Sequence, residues 1–190
     1  MMRSIHYSTD PMHRTSILQQ LRTYRDQWPD EVDMTDRLID FVEAHANCFD
    51  RSLSMGHITG SSWLVNCTGT HVLLTHHRKL NMWLQLGGHV DGNPDVLEAA
   101  MREAREESGL QDLKPIMPQI FDIDIHLIPE RKSEPAHFHY DLRYALQTSG
   151  SEAYVVSDES HDLAWVEIAQ LNKVTHEESM LRMARKWLAL

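Results

Sequence analysis

The segment from residues 83 to 110 restricts the fold most strongly, because a short apolar strand, two glycines and an acidic helix follow one another in it. Asn93 is a suitable N-cap, Pro94 suits the first helical position, and Gly109 is a suitable C-terminal stop. The pattern therefore predicts a strand that ends at the glycines and a helix from about Pro94 to Ser108.

Three glutamates of this helix lie close together on one face. Residues three and four apart are neighbours on a helix, so Glu103 lies beside both Glu106 and Glu107. Their repulsion costs only roughly a few tenths of a kcal/mol per pair, which leaves a solvated acidic surface as one interpretation. The other interpretation is a cation site, because paired glycines let the backbone approach a ligand and Mg²⁺ binds carboxylates, waters and substrate phosphates. The glycines and the three carboxylates together favour the cation site.

The spacing of the apolar residues changes at about His57. Before that residue, two helical segments are separated by Pro29, which cannot continue a helix. After it, strands predominate, and an amphipathic helix closes the chain. The predicted strands are HITGSSWLVNC, HVLLTHH, WLQLGGHV, FDIDIH, HFHYDLRY and LAWVEI. The chain is therefore predicted to be an α+β protein with a helical extension in front.

The strands FDIDIH and HFHYDLRY alternate strictly, so they predict a hairpin with one polar and one apolar face. A turn centred near residues 131 and 132 would place His126 opposite His137. Three interpretations of the polar face stay open. It is a solvated surface, a second metal site, or the lining of a substrate pocket in which His126, His137, His139 and Arg143 bind the substrate.

Composition restricts the class of protein and its partners. The chain has 190 residues, of which 42% are apolar, as expected of a globular protein. Its formal net charge of -10 disfavours binding to a nucleic-acid polymer. Cys48 and Cys67 fit no disulfide framework or C-x-x-C motif and are expected to be buried, reduced thiols. No apolar run is long enough for a membrane span, so a soluble, cytoplasmic protein is expected.

The acidic helix and its approach resemble the signature of the Nudix hydrolases, G-x5-E-x7-R-E-U-x-E-E-x-G-U, in which U is aliphatic. Gly88 fits the first glycine, and the run from Arg102 to Leu110 fits the later positions at the right spacing. Pro94 stands where the signature has its first glutamate, whose role in anchoring the helix would pass to Asp91 or Asp95. The resemblance implies the family's α/β/α sandwich with a mixed sheet.

The resemblance also implies roles for the residues that fit. Glu103, Glu106 and Glu107 would hold Mg²⁺ or Mn²⁺ together with the carbonyl of Gly88. Arg102 would orient a glutamate through an ion pair, and it counts with Glu103 and Glu106 among the catalytic residues. Many Nudix enzymes use a further glutamate outside the signature. The candidate is Glu159, with Asp158 as an equal neighbour and an exposed acidic turn as the alternative.

The resemblance implies a Nudix hydrolase domain over residues 51–190, with residues 1–50 as the helical extension. The implied activity is metal-dependent hydrolysis of a diphosphate linkage in a nucleoside diphosphate derivative or a related small phosphate compound. One alternative is a catalytically silent nucleotide-binding module. Another is an isomerase of prenyl diphosphates, which would use a cysteine such as Cys67. The substrate and the oligomeric state stay open, with a homodimer as one alternative.

Overall fold

The computed structural model describes residues 12–78, 80–131, 135–157 and 160–190. Four α-helices lie in these ranges, with short 3-10 turns at Pro29–Glu31 and Ile168–Lys173. The helices are α1 (Met12–Gln27), α2 (Val32–Ala44), α3 (Val96–Ser108) and α4 (Glu178–Leu188). The strands are β1 (Gly56–Val65), β2 (His71–His77), β3 (Met82–Leu84), β4 (Leu86–His89), β5 (Leu113–Pro115), β6 (Asp122–Ile128), β7 (His137–Thr148) and β8 (Ser160–Glu167).

The strand β1 lies at the centre of the mixed sheet. It pairs in parallel with β7 along its whole length, from Gly56 opposite Phe138 to Val65 opposite Gln147. It also pairs antiparallel with β4 and, at one end, with β2. The strands β5 and β6 pair with β7, and β3 and β8 pair with β2. Chain segments that are far apart in sequence therefore meet on β1.

Two apolar cores lie on opposite faces of this sheet. One joins α1, α2 and α3 to side chains such as Ile58 of β1 and Leu142 of β7. The other joins α4 to side chains such as Trp63 of β1 and Ala145 of β7. Side chains of a strand alternate between the two faces of a sheet, which explains why neighbouring residues contribute to different cores. The α+β class and the α/β/α sandwich predicted from the sequence are confirmed.

The helices of the first fifty residues belong to the first of these cores. Leu21 of α1 and Leu38 of α2 are fully buried in it, and the ring of Phe41 stacks on that of Tyr140 with the centroids 3.8 Å apart. The division into residues 1–50 and 51–190 stays a prediction. In the part of the chain that the structure describes, no helix is both long and apolar enough to cross a bilayer.

The structure corrects the extent of the glycine strand. The single strand predicted for WLQLGGHV consists of two strands, because the extended segment changes partner at Gln85. Its first part pairs with β2 and its second part with β1. The short strand β5 was not predicted, since three residues are too few to show a period.

The start of the acidic helix also differs from the prediction. Its N-cap is Asp95, whose carboxylate accepts a 3.0 Å hydrogen bond from the backbone amide of Glu98. Asn93 lies before the cap and accepts a hydrogen bond from the amide of Asp95. Pro94 therefore precedes the helix. The predicted stop is confirmed, because Gly109 caps the helix with a φ of 74° in the left-handed region.

The register of the β6–β7 hairpin is two residues away from the predicted one. His126 lies opposite His139, and Ile128 lies opposite His137. A shift of two residues keeps every side chain on its own face, so the alternation in sequence cannot distinguish the two registers. The observed register places Arg143 opposite Asp122, where their charges pair.

One thiol differs from expectation. Cys48 is buried, as predicted, but Cys67 is exposed. The strand β1 ends at Val65, so Cys67 lies in the following turn, where its Sγ donates a hydrogen bond to Glu152.

Candidate functional site

Two carboxylates of α3 lie against the backbone of the glycine strand β4. The amide of Gly87 donates a 2.8 Å hydrogen bond to Oε1 of Glu107. A Cβ atom on Gly88 would lie only 2.7 Å from Oε2 of Glu103, and one on Gly87 would lie 2.3 Å from Oγ of Ser61. Glycine at Gly88 therefore leaves room for the carboxylate of Glu103, and glycine at Gly87 lets β4 lie close to β1.

Arg102 connects the glutamates to β4. Its Nη1 lies 2.7 Å from Oε1 of Glu103 and 3.2 Å from Oε2 of Glu106, and its Nη2 donates a 2.9 Å hydrogen bond to the carbonyl of His89. The side chain of Glu106 is 60% exposed, whereas that of Glu103 is 17% exposed. The ion pair expected of Arg102 is present, while the catalytic roles of Arg102, Glu103 and Glu106 stay predictions.

Glu103 and Glu107 lie at Gly88 and Gly87 where α3 meets β4, and Glu106 is joined to Glu103 through Arg102. The binding of a metal ion by Gly88, Glu103, Glu106 and Glu107 stays a prediction. Carboxylate oxygens next to a backbone carbonyl are the donors that a hard cation such as Mg²⁺ prefers. We call Glu103, Glu106 and Glu107 the carboxylate cluster. The sequence candidates Glu159 and Asp158 lie outside the described residues, directly before β8, and their part in the site stays a prediction.

Five histidines gather on the sheet beside the carboxylate cluster. We call them the histidine cluster, and they are His57 of β1, His89 of β4, His126 of β6, and His137 and His139 of β7. The ring of His57 lies at the centre, with centroids 5.0 Å from His89, 5.1 Å from His137 and 4.9 Å from His139. The ring of His126 lies 5.4 Å from that of His139.

Burial keeps the central imidazoles neutral. It lowers the pKa of His57 to about 4, with further lowering from His89 and His137. It also lowers the pKa of His139 to about 2, and the neighbouring histidines act in the same direction. The charged form is disfavoured because it loses its hydration in the interior. At neutral pH these rings therefore offer lone pairs.

Sequence reasoning identified three members of the histidine cluster and missed two. His126, His137 and His139 stand out in the alternating strands. His57 and His89 lie far from them in sequence, and only the pairing of β1 with both β7 and β4 brings them close. The pattern around His57 and His89 contains no local signal of this contact.

Arg143, the fourth residue predicted to bind substrate, is buried in a network of aspartates. Its side chain is 2% exposed, and its Nε donates a 2.8 Å hydrogen bond to Asp141. Its other nitrogens lie 3.3 Å from Asp122 and from Asp124. A contact between Arg143 and substrate stays a prediction, and the described contacts of its guanidinium are those that neutralise buried carboxylates.

The aspartates of this network are held from several elements. Asp141 accepts hydrogen bonds from Thr59 and Ser61 of β1. Asp122 is fully buried and also pairs with Arg182 and Lys186 of α4. The polar face of the hairpin is therefore covered near Asp122 by α4 and not solvated, while its other end carries the histidine cluster.

Comparison with known proteins places this geometry in a family. The model of the NUDIX domain matches residues 57–187. A probable DHNTP pyrophosphohydrolase of Lactococcus lactis subsp. cremoris is 38% identical over 68 residues, which is 35% of this chain. The match spans 40% of the length of that relative.

Solved structures show the same fold. A NUDIX family hydrolase from Clostridium perfringens superposes with a TM-score of 0.52 at 23% identity, over 69% of this chain and 95% of that one. The dihydroneopterin triphosphate pyrophosphohydrolase of E. coli superposes with a TM-score of 0.55 at 15% identity, over 70% of this chain and 96% of that one. With the family model matching from β1 into α4, and with the glycine strand and acidic helix arranged as described, the chain belongs to the NUDIX family.

Proposed function

We propose that the protein is a hydrolase that uses Mg²⁺ or Mn²⁺ to cleave a diphosphate linkage in a nucleoside diphosphate derivative or a related small phosphate compound. The observation that carries this proposal is the seating of Glu103 and Glu107 against Gly87 and Gly88. An acidic helix on a solvated surface has no need of such an approach. Membership of the NUDIX family supports the same activity.

The carboxylate cluster and the carbonyl of Gly88 would hold the metal ion. The donor set fits a hard cation, since it consists of oxygen atoms and the neighbouring glycines leave room for a ligand to approach. When bound, the ion would neutralise phosphate charge and lower the pKa of a bound water. Arg102 would orient Glu103 and Glu106 and limit their mutual repulsion.

A carboxylate of this chain would accept the proton of the attacking water. The water oxygen would form the new bond to phosphorus, and the bond from that phosphorus to the bridging oxygen would break. Arg102 contacts Glu103 and Glu106, and Glu106 is the more exposed of the two, so it is available to a water molecule. Glu103 and Glu159 are the other candidates for the base, and the choice among them stays a proposal.

The histidine cluster would contact the substrate next to the carboxylate cluster. His89 directly follows Gly88 in β4, so the two clusters adjoin. His137 lines a cavity of about 150 Å³ together with His57 and His89. We therefore place the non-reacting part of the substrate on this side, with His126, His137 and His139 as its contacts.

The substrate is best sought among small pyrophosphate compounds. The name of the Lactococcus lactis relative supports including dihydroneopterin triphosphate. The other members of the panel are nucleotide sugars, dinucleoside polyphosphates, nucleoside triphosphates and CDP-alcohols. Each is incubated with Mg²⁺ or Mn²⁺, and the released phosphate products are measured.

Removal of the metal tests the proposal. Excess chelator should abolish turnover of any substrate found in the panel, and added Mg²⁺ or Mn²⁺ should restore it. Undiminished turnover in excess chelator would show that the reaction needs no metal ion, and it would contradict the proposed function. The homodimer and the cytoplasmic location expected from the sequence are separate proposals, which sedimentation equilibrium and cell fractionation test.

A silent nucleotide-binding module is the second candidate function. The observation that favours it is Pro94, which replaces the first glutamate of the signature. Anchoring of α3 by Asp95 and Asn93 weighs against it, because the helix is capped without that glutamate. The two candidates differ in turnover, since only the hydrolase releases phosphate products under the panel conditions.

A further inference from the structure

The histidine cluster has the donor geometry of a metal site of its own. One ring nitrogen from each of His57, His137 and His139 lies within 4.8 Å of the others. In a tetrahedral site with bonds of about 2.0–2.1 Å to nitrogen, the ligand atoms lie roughly 3.4 Å apart. His137 and His139 are only partly buried, so rotation of these two side chains can bring their nitrogens closer to that of the buried His57.

Unpaired nitrogens in the cluster point to a ligand. Neither ring nitrogen of His57 has a hydrogen-bond partner among the described residues, and the side chain is buried, with 3% of the residue exposed. Nε2 of His139 is also buried without a partner in this part of the chain. A buried polar atom without a partner costs roughly 1–3 kcal/mol, so three in one place require an explanation. A neutral imidazole has one lone pair, so a bound cation would satisfy one nitrogen of His57 and Nε2 of His139.

The surroundings of His137 orient its ring for such a bond. Its Nδ1 lies 2.8 Å from the carbonyl oxygen of Pro135, so Nδ1–H donates and Nε2 keeps its lone pair. Metal-bound histidines almost always donate their other ring N–H to a carbonyl or carboxylate in this way. The neighbouring His126 shows the same pattern, with Nδ1 3.0 Å from Oδ2 of Asp124.

We propose that His57, His137 and His139 bind a transition-metal ion of the zinc class, at a site separate from the carboxylate cluster. Imidazole nitrogen is the donor that Zn²⁺ accepts and that Mg²⁺ disfavours, so the two sites select different ions. His89 lies at the fourth side, with its ring 5.0 Å from that of His57 and 5.3 Å from that of His139.

The site opens on the cavity of about 150 Å³ that reaches the surface beside Arg51. The guanidinium of Arg51 lies 3.9 Å from the carboxylate of Asp91. This carboxylate partly neutralises the positive charge of Arg51 and so reduces its repulsion of a bound cation. An ion held here would have one side open to the cavity, next to the residue that follows Gly88. It would therefore be placed to contact a phosphate oxygen or other electron-rich group of a bound substrate. In that case His137 and His139 would act on the substrate through the ion, and His126 would contact it directly.

Binding of Co²⁺ tests the site, because tetrahedral Co²⁺ absorbs visible light strongly and octahedral Co²⁺ does so weakly. The full-length protein without an affinity tag is stripped with chelator, and Co²⁺ is titrated in excess Mg²⁺ and in the absence of any phosphate substrate. We expect about one tetrahedral Co²⁺ per chain, displaced by Zn²⁺. Since no turnover is measured, the result is independent of whether the protein is a hydrolase.

Variants of the histidines test which side chains bind the ion. His137→Ala and His139→Ala should each raise the Kd for Zn²⁺ by on the order of 100-fold or more, since loss of even an outer-shell partner costs about 10–100-fold. His176→Ala, which removes an exposed histidine of the loop before α4, should bind as the natural chain does. Glu107→Gln should also keep the tetrahedral Co²⁺ spectrum.

Two outcomes would overturn the proposal. One is unchanged binding of Zn²⁺ by folded His137→Ala, which is the decisive variant because its partly exposed ring can be removed with little effect on folding. The other is a loss of the tetrahedral spectrum in Glu107→Gln equal to that in the histidine variants. That result would place the ion in the carboxylate cluster. Circular dichroism shows which variants are folded.

Discussion

The backbone amide of Gly87 donates a 2.8 Å hydrogen bond to Oε1 of Glu107, and this bond fastens α3 to the edge of β4. Glutamine can accept the same hydrogen bond, so Glu107→Gln keeps the contact and removes only the charge. If Glu107 is a metal ligand, kcat at saturating Mg²⁺ should fall by on the order of 10²–10⁴-fold, the usual loss for an essential carboxylate. The assay uses any substrate found in the panel.

Glu98→Gln is the matched control on the same helix. Glu98 lies five residues before Glu103, which is about 500° around a helix of roughly 3.6 residues per turn, so it projects away from the carboxylate cluster. Its side chain accepts a hydrogen bond from Asn93, which glutamine can also accept. Its kcat should stay close to that of the natural chain. Equal losses in the two variants would show that the glutamates act only as a diffuse negative field.

Gly88→Ala should displace the carboxylate of Glu103, because the new Cβ would lie 2.7 Å from Oε2 and 2.8 Å from Cδ of that side chain. The affected atoms are at the end of a flexible side chain, so the fold should survive. A misplacement of about 1 Å can cost roughly 10²-fold in rate, and we expect a loss of that order in kcat/KM.

Gly150→Ala is the control for this steric effect. Its Cβ would lie 2.5 Å from a carboxylate oxygen of Asp112, which is not a member of the carboxylate cluster, and Gly150 is exposed in the bend after β7. The two variants impose the same kind of clash on different carboxylates. If Gly150→Ala lowers kcat/KM as much as Gly88→Ala does, the loss cannot be assigned to Glu103.

Pro94→Glu restores the first glutamate of the family signature. Because Pro94 precedes α3 and Asp95 already caps the helix, the change should leave kcat within a few-fold of its original value. The measurement is kcat on the best substrate of the panel with Mg²⁺. A rise on the order of a hundredfold would mean that the natural chain lacks a catalytic group, and it would favour the silent binding module.

Arg143→Met should destabilise the protein strongly. The substitution leaves Asp141 and Asp122 buried without the guanidinium that pairs with both, and such a loss costs about 3–5 kcal/mol in the free energy of unfolding. Urea denaturation measures the change. Arg22→Met is the control, because Arg22 forms an ion pair with Glu43 whose side chains are 61% and 49% exposed. Its loss should cost less than about 1 kcal/mol. A similar loss of unfolding free energy in both variants would contradict the conclusion that the buried network around Arg143 stabilises the fold.

Features that depend on neighbouring residues were predictable from the sequence. Apolar spacing predicted the helices and most of the strands, and the signature at Gly88 and Arg102–Leu110 predicted which side chains meet at the edge of β4. The predicted N-cap of α3 was wrong because Asn93 and Asp95 are both good capping residues, and local preference does not choose between them. The cap that forms is the one whose carboxylate reaches the amide of Glu98.

Features that depend on distant residues were not predictable in the same way. The predicted register of the β6–β7 hairpin was wrong because a shift of two residues preserves the alternation of polar and apolar side chains. The burial of Arg143 depends on α4, which supplies Arg182 and Lys186 to the shared partner Asp122. The place of His57 at the centre of the histidine cluster depends on its pairing with His139 across the sheet. Each of these contacts joins residues of two different helices or strands, so no pattern within a single element predicts it.

The parallel pairing of β1 with β7 has a consequence for the order in which the protein assembles. Contacts such as that of Thr59 with Asp141 join residues 82 apart, and closing so long a loop costs entropy before any contact repays it. Gly87 and Glu107 are only 20 apart, so the edge of β4 can meet α3 early. A chain leaving the ribosome can therefore form its carboxylate cluster while His126, His137 and His139, three of the five members of the histidine cluster, are still inside the ribosome.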